Sequence, residues 1–523
     1  MFPFPCNRYV CVTLLQPHIL TSIVPWFSSR GWPVRVIRCP EADINKAAQD
    51  RGLPVFVLVA TKFKQNNNMR PVLEFSLSSD GQINRLPDSD SLVASVRGCQ
   101  QFTALRARLA GGGDKTMAEA SLDLSLPGDH RPRYSLFLAE RIKASNLRFA
   151  AFIVPQGREV EWLFATAEGR SQLADSASCA RLVVVHLARE NTFTSLTQVQ
   201  EELAGTVLEL APDNLPAKYQ VPFLTQAGAE QVGERIERCR GQSSLSGQFV
   251  VEDVSVGTDM FVRRLIFLSR PHLTQSEANL RTVKMKKNKT KKVVDLSSLA
   301  STYHSVMIGS MGLYLSAPTR VLVVGLGGGS LPIYLHSKFP LTNVHVVEID
   351  PAIVRVAQDQ FSFSPDDRLT VSTCCGLQYV QDNPGEMFDI IMLDVDSKDM
   401  ASSGLSCPPS TFLDSNYLQT VSNRLSKGGM FVLNLVCRDS VLRAEIVTKL
   451  SSLWSCVVSY KLEEEVNEIL FCSNSDKLKT GDKNRTFHQA FKSVNDHVKK
   501  VTKDQDDLID LEDSIKLLKI NNH

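Results

Sequence analysis

Apolar residues come in short blocks along this chain, and the spacing within and between blocks sets the elements they predict. Toward the C-terminal end the blocks are nearly continuous: 320–324, 344–349, 369–372, 388–394, 430–436, 456–460 and 468–472. Stretches with helical spacing separate them, the alternation expected of a doubly wound α/β sheet. Residues 300–473 are therefore predicted to form a seven-stranded domain of that class. Near the other end, strands at 8–14, 33–39 and 54–60 with a helix reaching Phe27 repeat the strand, helix, strand, strand order of 430–472. Residues 1–75 thus read as the closing third of a second such domain whose front is missing, or as an independent small β unit.

The middle of the chain is less regular. Strands are expected at 149–154, 160–164 and 182–187 and a helix at 196–210, and a strand pair at 248–254 and 261–267 turns at Gly257. Residues 76–270 read as a mixed α/β packing or recognition module, with His186 a core residue of an apolar strand. Residues 271–299 carry the basic run 284–292 and read as a solvated linker, with nucleic-acid contact or an import signal as alternatives. Residues 474–523 read as a charged tail ending in a short docking helix at 508–520.

Composition narrows the partners. The chain has 523 residues, 43% of them hydrophobic, and a formal charge of +2. No global field draws it to nucleic acid or an anionic membrane, so direct nucleic-acid binding is not expected. No apolar run reaches membrane-spanning length. The opening Met1-Phe-Pro-Phe-Pro lacks a basic segment and does not read as a signal peptide. The twelve cysteines are scattered without zinc-binding spacing. They read as reduced thiols, no metal site is expected, and a cytoplasmic setting fits.

Chemistry concentrates at the strand ends. Val321-Leu-Val-Val-Gly325-Leu-Gly-Gly-Gly329-Ser330 turns a strand into a helix through glycines, and Glu348 ends the next strand about twenty residues on. Glycines permit positive φ and close approach to a ligand, and a carboxylate there accepts hydrogen bonds from both hydroxyls of a ribose. The pair reads as a nucleoside-cofactor site; the alternative is a tight turn with a solvated acidic residue. Asp394 ends the fourth strand, with Asp396 and Asp399 close behind. Carboxylates beside a cofactor pocket suit the holding of an amine. The alternative is a solvated Asp/Ser loop, with Asp394 the best placed of the three and Asp399 at the surface.

With Tyr303-His-Ser-Val-Met307 upstream and Val347-Glu-Ile-Asp-Pro351 after the second strand, these motifs resemble the spermidine-synthase-like branch of S-adenosylmethionine-dependent, Rossmann-like methyltransferases. Several segments are more specifically similar to the C-terminal half of the dual methyltransferases of translation elongation factor 1-alpha. They are 325–332, Asp394-Val-Asp-Ser-Lys-Asp399, Ser406-Cys-Pro-Pro409, Leu433-Asn-Leu-Val-Cys-Arg-Asp439 and 465–472, while 154–159 and 263–269 resemble the family's middle region. The resemblance implies S-adenosylmethionine as cofactor and the α-amine of elongation factor 1-alpha as substrate, with a separate lysine activity in the full-length family. No glycine-rich motif before residue 300 has the required strand-to-helix context, since Gly111-Gly-Gly113 follows a helical stretch, so the lysine activity is not expected of this chain.

By the same resemblance, Gly325, Gly327, Gly328 and Gly329 contact the cofactor through their backbone and Glu348 takes the ribose. Cys375 stands where related domains carry an aspartate for the adenine amino group, leaving that contact to backbone groups around Cys375 and Gly376. Asp394 orients the amine, and Tyr303, Asp396 and Asn434 line the pocket. Two other readings stay open: an aminopropyltransferase, whose family places an acidic residue at the position of Gly328, and a catalytically silent binding scaffold. Protonation favours the α-amine over lysine, since deprotonation at pH 7 costs about 1 kcal/mol for the former and about 4.6 kcal/mol for the latter.

Overall fold

Successive residues of Thr319–Val324 face opposite sides of a sheet, and both sides are covered. Val321 and Val323 are buried in one core layer, Leu322 and Val324 in the other. A strand buried this way belongs at the centre of a layered α/β unit. The computed structural model describes residues 7–501 except 41, 43–53, 63–71, 78–82, 111–120, 126–131, 142–146, 213–214, 217–218, 226–232, 258, 271–272, 286–288, 384, 398–403, 463–465, 477 and 479–482. The chain divides into two units, Met1–Glu234 and Arg235–His523.

In the first unit β1 (Asn7–Thr13), β2 (Val34–Arg38), β3 (Phe56–Lys62), β4 (Leu73–Ser76) and β5 (Asn84–Leu86) form a sheet in the order β1-β3-β2-β4-β5. Strand β3 runs antiparallel to β1 and β2, and β2 is parallel to β4. The helix Pro17–Ser28 buries Leu20, Val24 and Phe27 in the core of this sheet. A second five-stranded sheet follows, from β6 (Ser121–Leu124), β7 (Tyr134–Glu140), β8 (Leu147–Ile153), β9 (Cys179–Leu187) and β10 (Phe223–Leu224), in the order β10-β8-β9-β7-β6. His186 is buried in β9 with its ring against Phe137.

Residues 160–164, expected as a strand, are not one. The amides of Phe164 and Ala165 donate to the carbonyl of Glu161, and Thr166 Oγ1 accepts from the Gly169 amide at 3.0 Å, capping the helix Ala167–Ser176. The aromatic run has β-like composition, but its backbone hydrogen bonds are local and the threonine starts a helix.

The second unit opens with a five-stranded antiparallel sheet in sequence order: β11 (Arg235–Ser243), β12 (Gly247–Gly257), β13 (Met260–Phe267), β14 (Ser276–Lys284) and β15 (Thr290–Val294). Two boundaries drawn from the sequence change here. The module expected to run to 270 gives way at Arg235, and the expected linker holds the antiparallel hairpin β14–β15. Lys284, Lys289 and Lys291 are exposed on that hairpin while Ala278 and Val294 are buried. Charge on the outer positions masked a strand pair with few inward side chains. The sheet packs Phe249, Val251, Leu265 and Phe267 against Ile353, Val356 and Phe361 of the helix Pro351–Phe361.

The larger sheet contains β16 (Thr319–Val324), β17 (Thr342–Glu348), β18 (Leu369–Thr373), β19 (Phe388–Leu393), β20 (Leu405–Cys407), β21 (Leu425–Cys437), β22 (Cys456–Lys461) and β23 (Glu468–Ser473). It has eight strands, with the path β18-β17-β16-β19-β21-β23-β22 and β20 pairing β21 off that path. The short β20, antiparallel to β21, is the strand beyond the expected seven. The first five of the path are parallel, and β23 is antiparallel to both neighbours. Chain order reverses between β16 and β19, so their carboxyl ends flank the switch point where such sheets bind ligands.

The expected charged tail also differs. The helix Lys483–Val501 buries Phe487, Phe491, Val494 and Val498 in the same core layer as Val321 and Val323. The proposed docking helix at 508–520 lies outside the described residues.

Candidate functional site

Beyond Val324 the chain is stitched to both neighbouring strands. Gly325 N–H donates to the Val347 carbonyl at 2.8 Å, and Asp394 N–H donates to the Val324 carbonyl at 2.9 Å. Gly325 has φ +101°, and a Cβ on it would overlap the Asp394 carbonyl. The sharp turn and this close approach both demand glycine. Gly327 and Gly329 also have positive φ, and Gly329 starts the helix Ser330–Lys338. The loop is gripped from β14: Gly328 N–H donates to Ser276 Oγ at 2.8 Å and Ser330 Oγ donates to the Glu277 carbonyl at 3.0 Å. A Cβ on Gly328 would lie 2.9 Å from the ring of Phe361.

Glu348 is fixed at the end of β17, where Oε2 accepts from the Leu326 amide at 3.0 Å and Oε1 from the Asp350 amide at 2.8 Å. Asp350 caps the next helix by accepting from the Ala352 amide at 2.9 Å, and the hydroxyls of Ser243 and Ser246 donate to its other oxygen. Cys374 N–H donates to the Glu348 carbonyl at 3.0 Å, which brings Cys375 and Gly376 to the same edge. Cys375 precedes the helix Gly376–Asp382, and a Cβ on Gly376 would collide with Val324.

Asp394 collects donors from two elements. Asn434 Nδ2 on β21 donates to Oδ1 at 2.9 Å, His304 Nε2 on the helix Thr302–Ile308 meets Oδ2 at 2.9 Å, and the Tyr303 hydroxyl reaches Oδ2 at 3.4 Å. Behind Asn434, Asn467 Nδ2 donates to its Oδ1 at 2.9 Å. Burial pushes the Asp394 carboxyl upward, but the hydrogen bond and charge of His304, with Asn434 and Tyr303, outweigh it and hold the group below its ordinary range. Burial, then the negative charges of Asp394 and Asp396, push the nearby Cys407 thiol far up, so it stays protonated.

Asp396 sits apart from this cluster. Its Oδ2 is 3.8 Å from Arg270 Nη1, and Arg270 also donates to the Ser397 carbonyl at 2.8 Å. A pocket of about 270 Å³ there is lined by Phe267, Arg270, Leu273, Gln275 and Asp396 among others. Asp399 lies outside the described residues. A larger groove of about 690 Å³ in the first unit, lined by Tyr9, Trp26 and Trp32 among others, contains none of the sequence-predicted site residues.

The family model for a spermine/spermidine synthase domain matches residues 300–464. The eEF1A lysine and N-terminal methyltransferase of Xenopus laevis is 38% identical over 506 residues, covering 90% of this chain and 72% of the relative. Its namesake in Homo sapiens is 36% identical over 554 residues, covering 98% and 78%. The chain belongs to the eEF1A lysine and N-terminal methyltransferase family. Among solved structures, human methyltransferase-like protein 13 in complex with SAH is 36% identical, covers 41% of this chain and 99% of its own, and has a TM-score of 0.36.

In this member of the eEF1A methyltransferase family, the residues singled out from sequence gather along one sheet edge: the glycine run, Glu348, Cys375, Gly376 and Asp394, with Tyr303 and Asn434 touching Asp394. Sequence reasoning passed over His304, Asn467, Ser276 and Arg270 as site residues. His304 adjoins Tyr303 in a motif already singled out, and its helical neighbours Val306 and Met307 are buried. Ser276 and Arg270 escaped because they fall at the edges of segments taken for linker and module.

Proposed function

We propose that the second unit of this methyltransferase-family member transfers a methyl group from S-adenosylmethionine to the N-terminal α-amine of elongation factor 1-alpha. The observation that carries the reading is Asp394: an ionised carboxylate held by Tyr303, His304 and Asn434, on a residue whose backbone carbonyl lies against Gly325 of the glycine loop. We also read the sheet as a Rossmann-like methyltransferase domain with β20 added, and β1 to β3 as a counterpart of β21 to β23. Both triplets pair in the order first, third, second, with antiparallel neighbours.

The residues present fit the cofactor. A Cβ on Gly325 or Gly327 would strike the Asp394 carbonyl or Ser276 Oγ, so the loop keeps bare backbone where the cofactor would approach, and Glu348 presents a carboxylate fixed by two amides at the end of β17, an acceptor for ribose hydroxyls. Gly325, Gly327, Gly328, Gly329, Glu348, Cys375 and Gly376 would hold it. When bound, S-adenosylmethionine supplies an electrophilic methyl group on a sulfonium.

The chain's own part is alignment. Asp394 accepts a hydrogen bond from the amine and turns the nitrogen lone pair toward the transfer. Held low, this carboxyl is a weak base, so the amine arrives neutral or sheds its proton to water. The α-amine meets that requirement at about 1 kcal/mol near pH 7, against about 4.6 kcal/mol for a lysine. Tyr303 and Asn434 wall the amine position, and the pocket at Arg270 and Asp396 is read as the start of the peptide path.

Aminopropyl transfer fits less well. Its carboxylate would stand at Gly328, where even a Cβ comes within 2.9 Å of Phe361. A cytoplasmic setting goes with methylation of a translation factor. Among the described residues no helix is long and apolar enough to cross a membrane.

Mass spectrometry of elongation factor 1-alpha N-terminal peptides with free and acetylated termini tests the reading. Methylation of the free peptide alone is expected. Methylation that persists on the blocked peptide would move the reaction to a lysine.

A further inference from the structure

We infer that His304 is a positioning residue for this transfer: its ring N–H fixes Oδ2 of Asp394, leaving the carboxylate's remaining lone pairs to receive the substrate amine. The inference rests on the amine-methylation reading above.

The argument starts from polarity. An ionised carboxylate only accepts hydrogen bonds, so the nitrogen 2.9 Å from Oδ2 must carry a proton. This assigns the proton to Nε2 of His304. The opposite nitrogen, Nδ1, is buried and has no hydrogen-bond partner among the described residues. Where a histidine takes a proton from a substrate, the carboxylate orients one nitrogen and the substrate meets the other. Here the other nitrogen is sealed off, so His304 acts through Asp394 and is not itself the proton acceptor. The ring is steadied by Tyr303, whose centroid lies 4.3 Å away. Asn434 holds Oδ1 in the same way from β21, and the Tyr303 hydroxyl adds a longer contact to Oδ2, so both carboxylate oxygens are held and the plane of the group is set.

The groups facing Asp394 are few. Tyr303 and His304 come from the helix Thr302–Ile308, Asn434 from β21 and the protonated thiol of Cys407 from β20, with Asp396 next along the chain against Arg270. Of these, His304 is the principal influence holding the Asp394 carboxyl low against its burial. Removing it lets the carboxyl rise, so the defect deepens as pH falls.

The test uses the full chain and an elongation factor 1-alpha N-terminal peptide, with kcat, KM and cofactor affinity measured for wild type, His304→Leu and His304→Gln between pH 6 and 9. His304→Leu is expected to lower kcat about tenfold to a hundredfold, the range for loss of a hydrogen bond to a charged group, with cofactor affinity within about threefold of wild type. The ratio of His304→Leu to wild type should fall further toward pH 6. His304→Gln restores an N–H of similar reach and should recover most of the loss. A purely packing role predicts a ratio flat with pH and a Gln variant no better than Leu; either result overturns the inference. If His304→Leu does not fold, the pair His304→Gln and His304→Glu, equal in length and opposite in polarity, decides it, with Gln active and Glu not. A wild type that transfers no methyl group would sink the functional reading and the inference together. An active wild type with His304→Leu within twofold of it would sink the inference alone.

Discussion

Glu348 and Asp394 are both strand-end carboxylates, yet their partners give them different work. Glu348 is pinned by the amides of Leu326 and Asp350 and so is tied to the glycine loop. Glu348→Ala should weaken S-adenosylmethionine binding about tenfold or more, since a hydrogen bond to a charged group contributes roughly 1.5 to 3 kcal/mol. Isothermal titration checks it, and unchanged affinity in a folded variant would remove Glu348 from the site. Asp394 is pinned by side chains, and Asp394→Asn should lower turnover far more than cofactor affinity. The same substitution has a pH signature. Because the folded-state carboxyl is held below its unfolded value of about 3.9, its stabilising contribution is complete above that pH and is lost as pH falls through the lower folded value. Thermal melts should therefore show wild type above Asp394→Asn at pH 7, with the gap closing below about pH 4; a gap independent of pH would contradict the assignment. Both carboxylates were legible in the sequence because each follows a largely apolar strand. His304 was not, because its role depends on a residue 90 positions away that only the fold brings to it.

What the sequence concealed at the next level were elements that present charge outward and bury little. The hairpin β14–β15 places lysines on exposed positions and so resembled a linker, although Ser276 at its base holds Gly328. Ser276→Ala should leave the sheet intact and weaken cofactor binding several-fold by freeing the loop amide, a loss of about 0.5 to 1.5 kcal/mol. Equal affinities for variant and wild type would mean that the loop holds its shape unaided. The helix Lys483–Val501 was missed for a related reason. Phe487, Phe491, Val494 and Val498 recur at helical spacing, but the charged residues between them made the segment read as a tail. Phe491 packs beneath Gly309 and is fully buried. Phe491→Ala should cost about 3 to 5 kcal/mol in denaturant unfolding of the second unit. A cost under about 1 kcal/mol would mean that the helix only rests on the sheet. By contrast, strands with nearly continuous apolar runs, β16, β17, β19 and β21, were all foreseen within a few residues, since burial leaves few polar positions to blur the pattern.

Domain boundaries were the least legible feature, because they depend on which surfaces are buried together and not on local composition. The sequence suggests a catalytic domain beginning at residue 300, whereas the second unit begins at Arg235. The difference bears on the proposed site. Residues 235–294 supply Ser276 and Glu277 to the glycine loop, Ser243 and Ser246 to Asp350, and the apolar face that covers the helix Pro351–Phe361. Every residue assigned to the cofactor or the amine lies within Arg235–His523. A fragment spanning 235–523 should therefore bind S-adenosylmethionine within about threefold of the full chain. A fragment spanning 300–523 exposes Ile353, Val356 and Phe361, each worth roughly 1.5 to 3 kcal/mol when buried, and frees the loop that Ser276 grips. It should be markedly less stable and bind at least tenfold more weakly, as thermal melts and titration would report. Equal binding by the two fragments would mean that the antiparallel sheet is an accessory to the site and not a wall of it.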